Sequence, residues 1–334
     1  MITQKDIARE AGVSVMTVSR VVNKQFEKVS QENIKTIQQI INKYSYVPNL
    51  SARGLSSKAS GIIVLIIRGE GNRLMDPYNG TIVGYMSQYL QEAGFSAMIY
   101  TVLDFRDVTR RLRTWNAQGA IFFGMFDQEM ELIREENKIP LVFNDSYSTL
   151  RQVTNIGIDD YKGGQLAARH LLEMGHRNVG FCGSDVHSNG VDRQRFLGFA
   201  SVLEEAGVKL TEDRIFHPDL ERMPPATHFK SGKVPSALFV TSDLKAIELT
   251  LRLREQGLRV PEDCSIIGYD DLPLSRFMTP ALTTIKQDIE AKARYTVDTL
   301  KKHISHPGHP SERIVLDVDL IVRGSVADLR RQAR

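Results

Sequence analysis

The 334-residue chain is poor in the features that mark several protein classes. It has two cysteines, Cys182 and Cys264. That excludes a disulfide-stapled secreted scaffold and points to a reducing, cytoplasmic setting. The longest unbroken apolar run is Ile62 to Ile67, far below the roughly 18 residues that span a bilayer. No charged start followed by a long apolar stretch opens the chain, so no signal peptide is expected. Low-complexity tracts and short tandem repeats are missing, as are a nucleophile elbow, a P-loop and an HExxH pattern. Charge of one sign is also scarce, with a formal net of +3.

What charge there is has a position. Residues 1–60 carry nine Lys/Arg and four Asp/Glu, a net of +5, while the other 274 residues sum to −2. Such asymmetry suits a polyanion-binding head on a near-neutral body, and equally a solvated basic terminus. The length suits about two domains, with ample chain for a core.

Residues 1–47 read as helices only. Thr3 caps a helix from Gln4 to Ala11, with Asp6 completing a capping box. Gly12 and Val13 break it, and Ser14 caps a second helix from Val15 to Val22. Ser30 caps a third, from Gln31 to Tyr44, with Ile34, Ile37, Ile40 and Ile41 on one face. Residues 48–60 read as a linker containing a short helix. From Gly61 the texture changes to short apolar runs at Ile62–Ile67, Ala97–Thr101, Ala120–Phe123, Leu141–Phe143, Val179–Cys182, Ala237–Val240 and Ser265–Ile267. These read as buried parallel strands. Helices between them stop at Gly94, Gly175, Gly207 and Gly257. The alternation describes a doubly wound α/β fold, divided by its size into two lobes with a cleft.

The most specific motif is Ala8-x3-Gly12-x5-Val18. In a helix-turn-helix a small residue sits where two helices meet, a glycine makes the turn, and a branched apolar residue anchors the second helix. That second helix enters the major groove with its first residues toward base edges. Here they are Val15 and Met16, which have no hydrogen bond to offer a base and suit thymine methyls or shape. Their other reading is core packing, although Val18 and Val21 already fill the inward face. Arg20 suits a guanine or a phosphate; Thr17, Ser19 and Asn23 suit phosphates.

The run Thr3-x-Lys5-Asp6-Ile7-Ala8-x2-Ala11-Gly12-Val13-Ser14-x2-Thr17-Val18-Ser19-Arg20-Val21-Val22-Asn23 resembles the start of the lactose-repressor/galactose-repressor family. The likeness continues through Tyr46-Val47-Pro48-Asn49, Gly175-His176-Arg177, Gly257-Leu258-Arg259-Val260-Pro261, Gly268-Tyr269-Asp270-Asp271 and Pro280-Ala281-Leu282-Thr283-Thr284-Ile285. It implies a dimeric, ligand-responsive transcription factor: a small all-α helix-turn-helix head (1–47), a hinge (48–60), and a two-lobed α/β body with parallel sheets, similar to periplasmic binding proteins. The lobes are expected at 61–157 plus 287–315, and 158–286 plus 316–330. The resemblance adds Thr3, Ser14, Asn49, Ala52 and Leu55 to the DNA-contacting set. Leu55 matches a minor-groove wedge, its alternative being packing on the body. Gly54 beside it implies a hinge unfolded off DNA.

Open α/β sheets bind ligands outside the carboxyl ends of their strands. Asp145, Ser242, Asp243 and Asp270 each follow a strand, and Arg195 lies in a segment resembling the family's effector-site arginine. These are the expected contacts to a sugar or sugar derivative, with helix capping or a structural ion pair as the second reading of each. Arg68 also follows a strand and suits an anionic group or a solvated surface. Gly69-x-Gly71 lacks the third glycine of a dinucleotide fingerprint, Leu74 standing in its place. His303-x2-His306-x2-His309 reads as a solvated turn beside Pro307-Gly308 rather than a metal site. Neither a cofactor nor a metal is expected. The chain stops soon after Leu329, without a long heptad helix, which favours a homodimer over a tetramer. The rival readings are a transport-type sugar-binding protein and a cytoplasmic sugar-processing enzyme.

Overall fold

The computed structural model describes residues 2–46, 60–124, 127–147, 153–184, 186–187, 190–217 and 235–332. It divides into two units, residues 1–61 and 62–334.

The first unit holds α1 (Gln4–Glu10), α2 (Val15–Val22) and α3 (Gln31–Lys43). Each start is set by a short polar side chain. The Thr3 hydroxyl accepts from the Asp6 N–H while the Asp6 carboxylate accepts from the Thr3 N–H at 3.1 Å, a complete capping box. Ser14 and Ser30 accept from the N–H groups of Thr17 and Asn33. Gly12 turns α1 into α2 at φ 65°, in the left-handed region. One face of each helix meets in a core of Ile7, Ala8, Val18, Val21, Ile34, Ile37 and Ile40. Each fully buried aliphatic chain is worth about 1.5–3 kcal/mol.

The second unit contains two six-stranded sheets among the described residues. The first is built from β1 (Ile62–Arg68), β2 (Ser96–Val102), β3 (Gly119–Phe123), β4 (Leu141–Asn144), β5 (Asn155–Ile158) and β11 (Arg313–Leu316), in the order β11-β5-β4-β3-β1-β2. All its pairings are parallel. The second contains β6 (Val179–Cys182), β7 (Ile215–Phe216), β8 (Ala237–Val240), β9 (Ser265–Asp270), β10 (Thr283–Gln287) and β12 (Val318–Ile321), in the order β12-β10-β9-β8-β6-β7. It is parallel except where β12 runs against β10.

The helices cover the sheets as parallel strands demand. Against the first sheet lie α4 (Pro77–Glu92), α5 (Val108–Thr114), α6 (Asp127–Glu136) and α11 (Ile289–Ser305). The second carries α7 (Asp160–Glu173), α8 (Val191–Glu205) and α9 (Asp243–Glu255). Apolar clusters fill both faces of each sheet. The short α10 (Leu274–Phe277) and α12 (Leu329–Gln332) complete the α-helices among the described residues. The chain passes between the sheets at Asp159, Asp288 and Asp317. Asp76, with Pro77 at the first helical position, caps α4 by accepting from the Asn79 N–H at 3.0 Å.

Several strands lie outside the apolar runs. β10 buries Thr283, Thr284 and Gln287, and β11 alternates exposed and half-buried residues. The histidine triplet is not a single turn: His303 lies in the last turn of α11, within 3.3 Å of the Thr154 hydroxyl. His309 pairs with Glu312 at 2.6 Å. Both cysteines are free and buried, and burial pushes their thiols up to about 12.

Candidate functional site

Two surfaces carry the polar and apolar groups singled out in the sequence. The first is the start of α2. Val18 and Val21 are in the head core, so Val15 and Met16 point outward, 41 % and 64 % exposed. Core packing is therefore not their role. The Ser14 and Thr17 hydroxyls lie 2.9 Å apart beside them. Asn23 donates to Ser19 Oγ at 3.3 Å, and Arg20 is half-buried on the last turn. Thr3 is engaged in its cap. Asn49, Ala52 and Leu55, with Gly54 and the rest of the hinge up to residue 59, lie outside the described residues.

The second surface is a cleft of about 690 Å³ within the body. Arg195, Asp270, Asp145, Ser242 and Arg68 all line it. Arg195 sits on α8, which approaches α7 closely because Gly164 and Gly198 face each other's helix. A Cβ on Gly164 would overlap the Arg195 carbonyl, and one on Gly198 the Tyr161 carbonyl. The guanidinium is buried. Its Nε donates to Asp160 at 2.7 Å, its Nη1 to the Thr241 carbonyl at 2.5 Å, and its plane lies 3.5 Å from the Tyr269 ring centroid. Two of its five N–H groups are so used, leaving donors for the cleft. Burial raises the pKa of Asp160, against the opposing charge of Arg195.

Asp270 ends β9 and is 4 % exposed. Its Oδ1 accepts from Gln287 Nε2 at 2.6 Å. Burial holds its carboxyl well above the usual range, with Arg195 pulling the other way. The Gln287 Oε1 is buried without a hydrogen-bond partner among the described residues. Asp145 follows β4 at φ 53° and pairs with Lys292 at 2.5 Å. Arg68 pairs with Glu129 at 3.2 Å and lies over the Phe105 ring. Ser242 caps α9, accepting from the Lys245 N–H at 3.3 Å, with its residue still on the cleft wall.

Asp243 is a correction. Its side chain turns away from the cleft and is wholly buried. Oδ2 accepts from the Leu272 N–H at 2.8 Å and from Ser275 Oγ at 2.5 Å; Oδ1 accepts from Thr284 Oγ1 at 2.6 Å. It fastens α9 to the turn after β9 and to β10. Burial outweighs these bonds and pushes its carboxyl up to about 6.

Several cleft residues escaped the sequence reading. Gln287 ends β10 and Tyr147 follows β4, so the strand-end rule would have found them once those strand ends were placed. The Tyr147 hydroxyl donates to Asp160 Oδ2, joining the first lobe to the second. Lys292, buried behind the cleft wall, carries no signal: a lysine on a helix reads as solvated.

Residues 3–49 match the profile "Bacterial regulatory proteins, lacI family", and residues 168–326 match "Periplasmic binding protein-like domain". The HTH-type transcriptional regulator DegA of Bacillus subtilis is 30% identical over 97% of this chain and 98% of its own length. The ribose operon repressor of Haemophilus influenzae is 30% identical over 99% of this chain and 100% of its own. The chain belongs to the lacI family. A solved Lac repressor dimer bound to operator and the anti-inducer ONPF superposes with a TM-score of 0.84 at 25% identity, covering 98% of this chain and 99% of that one. The regulator CelR in complex with cellobiose gives 0.71 at 25% identity over 97% and 100%. This lacI-family protein is a DNA-binding transcriptional regulator with an effector-binding domain, and its family is not one of enzymes. Among the described residues, no helix of this regulator is long and apolar enough to cross a membrane.

Proposed function

We propose that this regulator is a homodimeric repressor of a near-palindromic operator, and that a sugar or sugar derivative in the interlobe cleft sets its affinity for DNA. The observation that carries the ligand assignment is the set Arg195, Asp270 and Gln287. It puts donors on one residue beside an occupied carboxylate and an unpartnered amide oxygen, all buried on one cleft wall. Buried acceptors require donors, and a polyol supplies both donors and acceptors at short spacing. The cleft volume lies in the range of small-molecule sites. On the DNA side, Val15 and Met16 meet base edges, Arg20 takes a guanine or a phosphate, and Ser14, Thr17, Ser19 and Asn23 position the helix on the backbone. Leu55 acts as the wedge, with Asn49 and Ala52 beside it in the hinge. The dimer is carried over from the operator-bound Lac repressor.

The test is a selection of genomic duplex fragments with the purified protein, followed by operator titrations at several salt concentrations with and without a panel of sugars. The expected result is one class of two-fold symmetric site, affinity that falls steeply with salt through counterion release, and a sugar that changes operator affinity. Failure to enrich any duplex overturns the operator assignment. A sugar that binds the cleft without altering operator affinity overturns the regulatory one.

A further inference from the structure

Lys292 lies in the first turn of α11, just past the chain crossing at Asp288, with its side chain 1 % exposed. Its Nζ is 2.5 Å from both carboxylate oxygens of Asp145 and 2.8 Å from Tyr78 Oη. The Tyr78 hydroxyl in turn donates to Asp145 Oδ2 at 3.3 Å. Three first-lobe elements therefore converge behind one carboxylate on the cleft wall: the end of β4, the start of α4 and the start of α11. The backbone of Asp145 adopts a left-handed conformation that Asp tolerates better than most residues.

A carboxylate has about four acceptor directions. The ammonium and the phenol take three of them, leaving one for the cleft. A bare carboxylate there would draw a ligand ammonium; a bare ammonium would draw a phosphate or an acid. The pair is neutral as a unit and gives little to either. The other titratable and charged groups near it are Tyr147, Asp160, Arg195 and Asp270, and Arg195 is already bonded to Asp160. We propose that Lys292 sets the ligand class of the first-lobe wall: by clamping Asp145 from behind, it selects an uncharged hydroxyl and rejects cationic and anionic counterparts. The proposal rests on the sugar-binding reading of the cleft and narrows it to neutral sugars.

The test uses the full chain in thermal-shift and calorimetric titrations with ribose, galactose and cellobiose, set against galactosamine, galacturonate and ribose 5-phosphate. The wild type should respond to a neutral sugar and not to its charged counterparts. Lys292→Met should bind that sugar roughly tenfold to a hundredfold more weakly and gain the amino sugar, and K292M/D145N should regain the neutral one. A K292M protein with the wild-type order of preference, or a wild type that prefers a charged counterpart, overturns the proposal. If no sugar in the set binds the wild type, the sugar reading fails, and a double-mutant comparison of Tm still judges Lys292. Lys292→Met should lower Tm by more than K292M/D145N does, because removing one partner leaves the other charge uncompensated. Equal Tm losses in K292M and K292M/D145N overturn the role of Lys292.

Discussion

Val15 and Met16 in the head are apolar and exposed; Arg195 and Lys292 in the body are cationic and buried. The two regions thus invert the ordinary surface rule in opposite senses. In the head, the apolar side chains stand outside a core already complete without them, so their area is removed from water only when a partner arrives. In the body the cations are already desolvated and paired, Arg195 with Asp160 in the cleft wall and Lys292 with Asp145 from behind it. The cost of burying them falls on folding rather than on ligand binding. A reading surface and a sensing pocket therefore differ in when their free energy is committed.

The largest effect is expected at Arg195. Arg195→Ala leaves Asp160 buried without its cation, and should cost about 3–5 kcal/mol of body stability as well as the ligand response. Denaturant unfolding with operator titration measures both. An unfolding midpoint equal to wild type would show that the pair is not buried in solution. The next effect is a pH dependence. Asp243 has a carboxyl pKa of about 6, above its ordinary 3.8, so the folded state binds its proton more tightly than the unfolded chain. Its contribution to stability is present below about pH 4 and is lost as pH rises through 6, on the order of 3 kcal/mol. Asp243→Asn should flatten that part of the stability profile; an unchanged slope between pH 4 and pH 6 would reject the assignment.

The head should respond on a smaller scale. Met16→Ser should weaken operator binding by about 1–2 kcal/mol while leaving head stability and binding to random duplex unaltered, since the side chain is outside the core. Equal losses on both duplexes would mean that Met16 reads no bases. Thr3→Ala removes half of the capping box and should lower head stability by about 1 kcal/mol. Helix melting followed by circular dichroism would detect it, and no change would show that water replaces the cap.

Legibility in the sequence followed the physics of each element. Ile62–Ile67 and Ala237–Val240 announced their strands because both faces of a parallel sheet are covered. β10 did not, because Thr283, Thr284 and Gln287 satisfy buried polar groups instead of filling apolar space. Asp270 was found by its place after a strand, and Arg195 by resemblance. Asp243 was misassigned by the same rule as its neighbour Ser242, since adjacent residues at a helix start face different ways and only Ser242 stays on the cleft wall. Asp160 was hidden because β5, which ends two residues before it, is Asn-Ile-Gly-Ile and lacks an apolar run. Lys292 was hidden because its partner lies 147 positions away in the chain.

The crossing at Asp317 has a consequence for synthesis. β11 borders β5 in one sheet and β12 borders β10 in the other, and only Asp317 separates β11 from β12. A ribosome that has translated everything up to residue 312 has therefore made two lobes that each lack an edge strand, with the outer backbone of β5 and β10 unpaired and open to association with other chains. The next nine residues supply the partner strands of both edges together. A nonsense mutation just before that point would leave two open sheet edges at once, so loss of the segment from Arg313 to Ile321 should divert the translated chain from folded regulator toward aggregate.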